Sequence, residues 1–199
     1  LNLFFQSQKV FSESTLLKTE SIRKKLFGRM DDRKKSQPLR KVFENVLFGS
    51  FSRVTDSESI WVRIDSRSDF RKWTFKLSKK NLNLPRQEVR VWLKHVSPKL
   101  SVSFGKEYND WFRKKSAFEM QKTFLNRKLR INYEYSDKLF RLDGMVWTAD
   151  TNLNIWLVKN GWSFYILEND LPVEHKDFLE AENEAKNNKI GLWKSELQD

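Results

Sequence analysis

The chain contains no cysteine, only two histidines, and no long apolar run in its 199 residues. Without cysteine there is no disulfide frame, no thiol nucleophile and no zinc-thiolate site. His95 and His175 are too few to build a histidine metal centre or an acid-base relay, so both are assigned surface or structural roles. No metal and no cofactor is expected. No stretch approaches the ~18 apolar residues that a bilayer-spanning helix needs.

What is present is a core supply and a charged coat. Hydrophobic residues make up 39%, with 16 Phe and 8 Trp, against 32% charged residues and a mean hydropathy of −0.69. Such a length suits one packed domain plus an appendage. The net charge of +12 is uneven: residues 1–45 hold 11 basic and 5 acidic side chains, 46–85 hold 8 and 4, and 86–130 hold 12 and 4. Residues 131–199 reverse the sign, with 7 basic and 13 acidic. The basic surplus therefore lies before Ile131, where it suits nucleic acid, an anionic membrane surface or an acidic protein partner.

Along the chain, Leu1 to Ser7 partly resembles a protease-recognition tail of the kind a cloning vector leaves, and is set aside. Residues 1–37 form a basic arm with a loosely helical apolar pattern through Leu16, Ile22, Leu26, Phe27 and Met30. The globular domain is expected over 38–199. Val46 to Val54 and Ser59 to Ile64 read as strands around a polar turn, Thr55 to Glu58. Trp73 to Leu77 alternates as a further strand, Lys79 to Pro85 is a loop, and Glu88 to His95 alternates again. Asn109 to Leu125 is patterned as a helix. Lys128 to Tyr135 and Arg141 to Ala149 are strands, Asn152 to Trp162 a short helix, and His175 to Lys189 a final one. This order implies an α+β chain, compatible with an OB-type barrel.

Three pieces of the last third carry a family resemblance: Asp137-Lys138-Leu139-Phe140-Arg141 opening an apolar strand, the short helix ending at Gly161, and the last helix closing with Ile190-Gly191-Leu192-Trp193. Together they resemble the staphylococcal nuclease-like (thermonuclease) domain. The resemblance implies a five-stranded OB-type barrel with about three packed helices, here with the basic arm in front. It also implies a calcium-dependent nuclease ancestry, which can be checked position by position. The family's first hairpin carries Asp-Gly-Asp-Thr, whose second Asp helps hold calcium; this chain reads Asp56-Ser57-Glu58-Ser59, leaving Glu58 as a hard-cation donor. Arg90, within Val89-Arg90-Val91-Trp92, matches the first catalytic arginine. Arg141 matches the second, set in Asp-Lys-Tyr-Gly-Arg in the family. Val96 falls where the second calcium-holding Asp belongs, and Lys99 where the general-base Glu belongs.

Those two replacements decide the expectation about chemistry. Valine supplies no anionic oxygen to a hard cation, and an ammonium supplies no acceptor for a water proton. The chain is therefore expected to be a pseudoenzyme, with Arg90, Arg141 and Glu58 vestigial; plainer roles for the arginines are a solvated strand position for Arg141 and charge pairing with Glu88 for Arg90. The expected function is a binding or scaffold module, an accessory subunit of a larger, mitochondrial assembly with protein partners. The alternative is a nucleic-acid-binding OB domain without nuclease activity, using Arg63, Arg71, Lys72, Trp73, Arg90, Arg130 and Arg141; a working calcium-dependent nuclease is the third reading, ranked last. Among the aromatics, Trp73 is the exposed stacking candidate. Trp61 and Trp92 are read as turned away from neighbouring arginines and buried, and Trp147, Trp156, Trp162 and Trp193 as core.

Overall fold

The computed structural model describes residues 45–98, 105–168 and 171–194. The expected basic arm, residues 1–37, and Lys99 lie outside the described residues.

The long first strand β1 (Val46–Asp56) folds back on β2 (Ser59–Ile64) through the polar turn. Then follow α1 (Arg67–Thr74), a short 3₁₀ turn, β3 (Leu82–Asn83), β4 (Glu88–Leu93) and β5 (Val96–Ser97). The 19-residue helix α2 (Lys106–Phe124) leads to β6 (Lys128–Ser136) and β7 (Arg141–Trp147). The described residues end with α3 (Leu153–Lys159), β8 (Phe164–Tyr165), α4 (His175–Asn187) and a 3₁₀ turn at Gly191–Trp193.

Strand pairing runs β2-β1-β6-β7-β4, and β2 also pairs with β4, so five strands close a barrel. All of these contacts are antiparallel except β4 with β7, which is parallel. Closure removes the open edges that would otherwise template aggregation. Period-two alternation sends Ile60, Val62 and Ile64 from β2, Val89, Val91 and Leu93 from β4, and Leu129 and Ile131 from β6 into one core. The five-stranded barrel and α+β class follow the sequence reading, but the described residues hold four α-helices rather than three.

The extra helix is α1, in part of the stretch read as a strand. Trp73, Phe75 and Leu77 alternate in sequence, yet Phe75 is 93% exposed while Phe70, Trp73 and Leu77 are buried. Those three are spaced i, i+3, i+7, the spacing of a helical face. Ser66 caps the helix, its Oγ accepting the Asp69 N–H at 3.3 Å, a start signal the alternating pattern obscured. Trp73 meets Tyr133 edge-on, with centroids 5.1 Å apart, and takes its place in the barrel core.

α3 is bound to the barrel by Asn154, which is fully buried. Its Oδ1 accepts the Val146 N–H at 3.0 Å, and its Nδ2 donates to the carbonyls of Lys94 (2.9 Å) and Gly144 (3.2 Å). One side chain thus ties the helix to β7 and to the turn after β4. Gly161 ends the helix with a φ of 63°, and its carbonyl accepts the Leu192 N–H at 2.9 Å.

Candidate functional site: the arginine face of the barrel

The face to which the resemblance points is the outer surface of β1, β2, β4 and β7. On β4, Val89, Val91 and Leu93 are buried, so Glu88, Arg90 and Trp92 share the other side. Trp92 stands beside Asp143 across the parallel pairing, with Arg141 two residues earlier on the same side.

The hairpin turn organises Arg90. Asp56 Oδ1 accepts the Glu58 N–H and the Ser59 hydroxyl, each at 2.9 Å, closing an Asx-type turn without a glycine. Its other oxygen, Oδ2, accepts from Arg90 Nη2. Arg90 Nε donates to Ser59 Oγ at 2.8 Å. The guanidinium is therefore clamped to the turn at two points.

Trp92 lies between two cations. The Arg90 guanidinium sits 4.5 Å from its ring centroid and that of Arg141 4.7 Å, both within cation–π range. Arg141 Nε is 2.9 Å from Asp143 Oδ1, close enough for charge pairing but not aligned as a hydrogen bond. Burial pushes the Asp143 carboxyl above the ordinary aspartate value, and Arg141 opposes that rise.

A third arginine repeats the arrangement one row away. A bulge in β1 between Phe51 and Arg53 lets Ser52 and Arg53 reach one carboxylate. Ser52 Oγ donates to Glu88 Oε1 at 2.5 Å and Arg53 Nε to Oε2 at 3.2 Å. Glu88 has no exposed side-chain surface, and Arg53 lies 4.3 Å over Trp61. Arg53, Arg90 and Arg141 are thus each matched by a carboxylate and stacked on a tryptophan.

These contacts correct several expectations. Arg90 pairs with Asp56, not with Glu88, whose partners are Ser52 and Arg53. Arg141 is not simply solvated; it is held by Asp143 and Trp92. Trp92 is only half-buried and shares its face with the arginines, because strand residues two apart point the same way. Trp61 is buried as expected, but beneath Arg53 rather than turned from charge. Trp73, the expected stacking platform, is in the core. Trp156 and Trp162 pack against the core as expected, whereas Trp147 and Trp193 are half-buried under Arg130 (5.7 Å) and Lys186 (4.5 Å).

The remaining basic candidates are placed elsewhere. Arg71 and Lys72 project from α1, where Lys72 Nζ donates to Asp69 at 2.6 Å. Arg63 and Arg130 lie on the outside of the same barrel, on β2 and β6. There Arg63, Ser50 and Lys128 form one cross-strand row, and Phe48, Arg130 and Trp147 another. Phe48 is 59% exposed, an aromatic that sequence reading passed over.

The residues present do not fit the calcium ion that the resemblance implies. Glu58 Oε1 is buried without a partner, so one donor oxygen is available. Calcium, however, takes six to eight oxygens. Asp56 is engaged by Arg90, and Val96 is buried in β5, paired with Tyr165 of β8. Among the described residues no group of three or more His, Asp or Glu is arranged to hold a metal ion. The neighbouring His95 is turned away: its ring packs on Phe178 and Tyr165, and burial depresses its pKa. A cleft of about 290 Å³ opens beside Asp56, lined by Thr55, Asp110, Arg113, Lys114 and Ala117.

The family model described as staphylococcal nuclease homologue matches residues 90–195, just over half of the chain. The match begins at Arg90 and includes Trp92, Arg141 and Asp143. No curated protein matches the chain.

Proposed function

The chain belongs to the family of staphylococcal nuclease homologues, and from that premise we propose that it is a non-enzymatic member serving as a binding or scaffold module. The observation that supports this reading is the neutralisation of the arginine face. Phosphodiester cleavage requires cations that stabilise charge developing on phosphate, and an oxygen base that takes a proton from water. Arg90 and Arg141 are instead committed to Asp56 and Asp143 and held over Trp92. A phosphate would have to displace a carboxylate from each. Lys99 and Val96 stand in place of the family's carboxylates, so neither the base nor the second metal ligand is supplied.

The test is digestion of single-stranded DNA by the full chain with added calcium. No product is expected at any calcium concentration, and products that a chelator abolishes would overturn the reading.

As a scaffold, the protein is an accessory subunit of a larger assembly, and we place that assembly in the mitochondrion on the strength of the net charge of +12 and the basic arm. Affinity purification of the full chain from fractionated cells is expected to return stoichiometric protein partners from the mitochondrial fraction. Recovery without partners, or from another compartment, would remove that part of the reading.

A second reading, nucleic-acid binding without cleavage, is favoured by Arg63 and Arg130 beside exposed Phe48 and half-buried Trp147; Lys128 in the same patch is paired with Asp65 at 2.8 Å. Backbone-tracking cations with a stacking aromatic suit a single strand. Binding of a fluorescent oligonucleotide should then fall steeply as salt rises and weaken in Arg63→Glu/Arg130→Glu. Absence of binding at ~50 mM salt ends it.

A further inference from the structure

Helix α2 is apolar on two opposite sides, and the fold uses one of them. Phe112, Ser116, Met120 and Phe124 recur every four residues and are buried. Trp111, Phe118 and Leu125 recur every seven residues and are 55%, 59% and 47% exposed. At about 100° per residue, the second row lies diametrically opposite the first and extends for roughly 21 Å. A surface helix ordinarily turns a polar face to water, so the packing of the described residues leaves this outer row unexplained.

The charges beside it indicate what covers it. Lys114 flanks the row on one side, Lys115 and Lys122 on the other. Lys115 reaches over the Phe118 ring at 5.4 Å and pairs with Glu119 at 2.9 Å. Glu107 and Asp110 sit near the N-terminal end. Trp111 rests against Tyr108, with centroids 5.5 Å apart.

We propose that this outer face of α2 docks the domain on a bilayer surface containing anionic phospholipid. Trp, Phe and Leu enter the boundary between headgroups and acyl chains, while the flanking lysines extend to lipid phosphates. The geometry favours this occupant over a partner helix. A coiled-coil seam needs apolar residues alternately three and four apart, and Lys114 and Gln121 occupy the intervening positions. It favours it over a nucleic-acid strand because the aromatics stand on a convex helix rather than in a groove. The proposal is independent of whether the arginine face retains catalysis.

The experiment is flotation of the full chain with vesicles of phosphatidylcholine alone and with about 30 mol% phosphatidylserine. The protein is expected to float with the anionic vesicles and not the neutral ones. Trp111→Ser/Phe118→Ser should lower partitioning about tenfold or more, with only a small shift of the unfolding midpoint because both side chains are more than half exposed. Lys114→Glu/Lys122→Glu, which alters no apolar contact, should do the same and supplies the readout if the first variant is destabilised. Failure of the wild type to float overturns the proposal. So does undiminished flotation of a folded variant, since the basic arm is present in all three proteins and would account for such binding.

Discussion

Phe140 shows how a family position can be legible in sequence while its cost is not. It occupies the place of glycine in the family's Asp-Lys-Tyr-Gly-Arg, and its backbone adopts a φ of 47°. That is left-handed space, where a side chain with a Cβ is strained by about 1–2 kcal/mol. The ring is 54% exposed and returns little packing energy. Phe140→Gly should therefore stabilise the fold by about 0.5–1 kcal/mol after the extra unfolded-state entropy of glycine is counted. Chemical denaturation of the two proteins measures this, and a destabilised variant would refute the strain argument. Glu88 is the opposite case, a charge with no exposed surface supported by Ser52 and Arg53. Glu88→Gln preserves shape but weakens the charge-assisted bonds, and a loss of about 1–2 kcal/mol is expected, moderated because Arg53 is one-third exposed. The family resemblance pointed to Arg90, but it did not disclose Asp56 as its partner, because 34 residues separate them in sequence.

At the scale of elements, strand alternation was readable wherever one side faced the core, and β1, β2, β4, β6 and β7 all fell where periodicity put them. Misreading came at Trp73, where three apolar residues fit a strand and a helical face almost equally. Packing against Tyr133 and the cap at Ser66 decide for the helix, and neither leaves a period-two trace. The junction between α3 and the last turn is likewise silent in composition. Gly161 and Gly191 both have positive φ, and a Cβ on either would lie 2.2 Å from a carbonyl oxygen, of Ile190 and Gly161 respectively. Both carbonyls are backbone, so neither clash can be relieved by a rotamer. Gly161→Ala or Gly191→Ala should each destabilise by more than about 2 kcal/mol, against about a few tenths for an ordinary exposed substitution such as Lys159→Ala. A thermal midpoint near wild type for either glycine variant would show that the two segments separate easily. Asn154→Ala tests the other face of the same helix. It strands the buried Val146 N–H and the Lys94 carbonyl, while the Gly144 carbonyl keeps the Lys94 N–H at 3.1 Å, and should cost about 2–3 kcal/mol.

The whole molecule joins a barrel to a C-terminal helical layer, and His95 sits between them. It follows β4 in a turn with a φ of 61°, is 3% exposed, and packs on Tyr165 of β8 and Phe178 of α4. Burial favours the neutral ring and depresses its pKa; Glu168 and Glu134 oppose this while Lys94 reinforces it. In the unfolded chain the imidazole titrates near its ordinary value of 6.5. As pH falls below that value the unfolded chain takes up a proton that the folded chain resists. Stability is thus fully present above about pH 6.5 and declines with acidification until the folded ring itself titrates. Asp143 acts with the opposite sign at lower pH: its raised folded pKa means the native state binds the proton first, and stability recovers somewhat as pH falls toward 3.8. Urea unfolding between about pH 7.5 and 5 spans the histidine's unfolded titration, and comparison with a variant lacking the imidazole assigns its share. The midpoint should fall across that interval in the wild type. In His95→Asn, whose side chain tolerates left-handed backbone, the midpoint should start lower for lost packing but vary less with pH. An equal slope in both proteins would mean that His95 is protonated in the fold, and that the joint between barrel and helices is not the dry contact its burial describes.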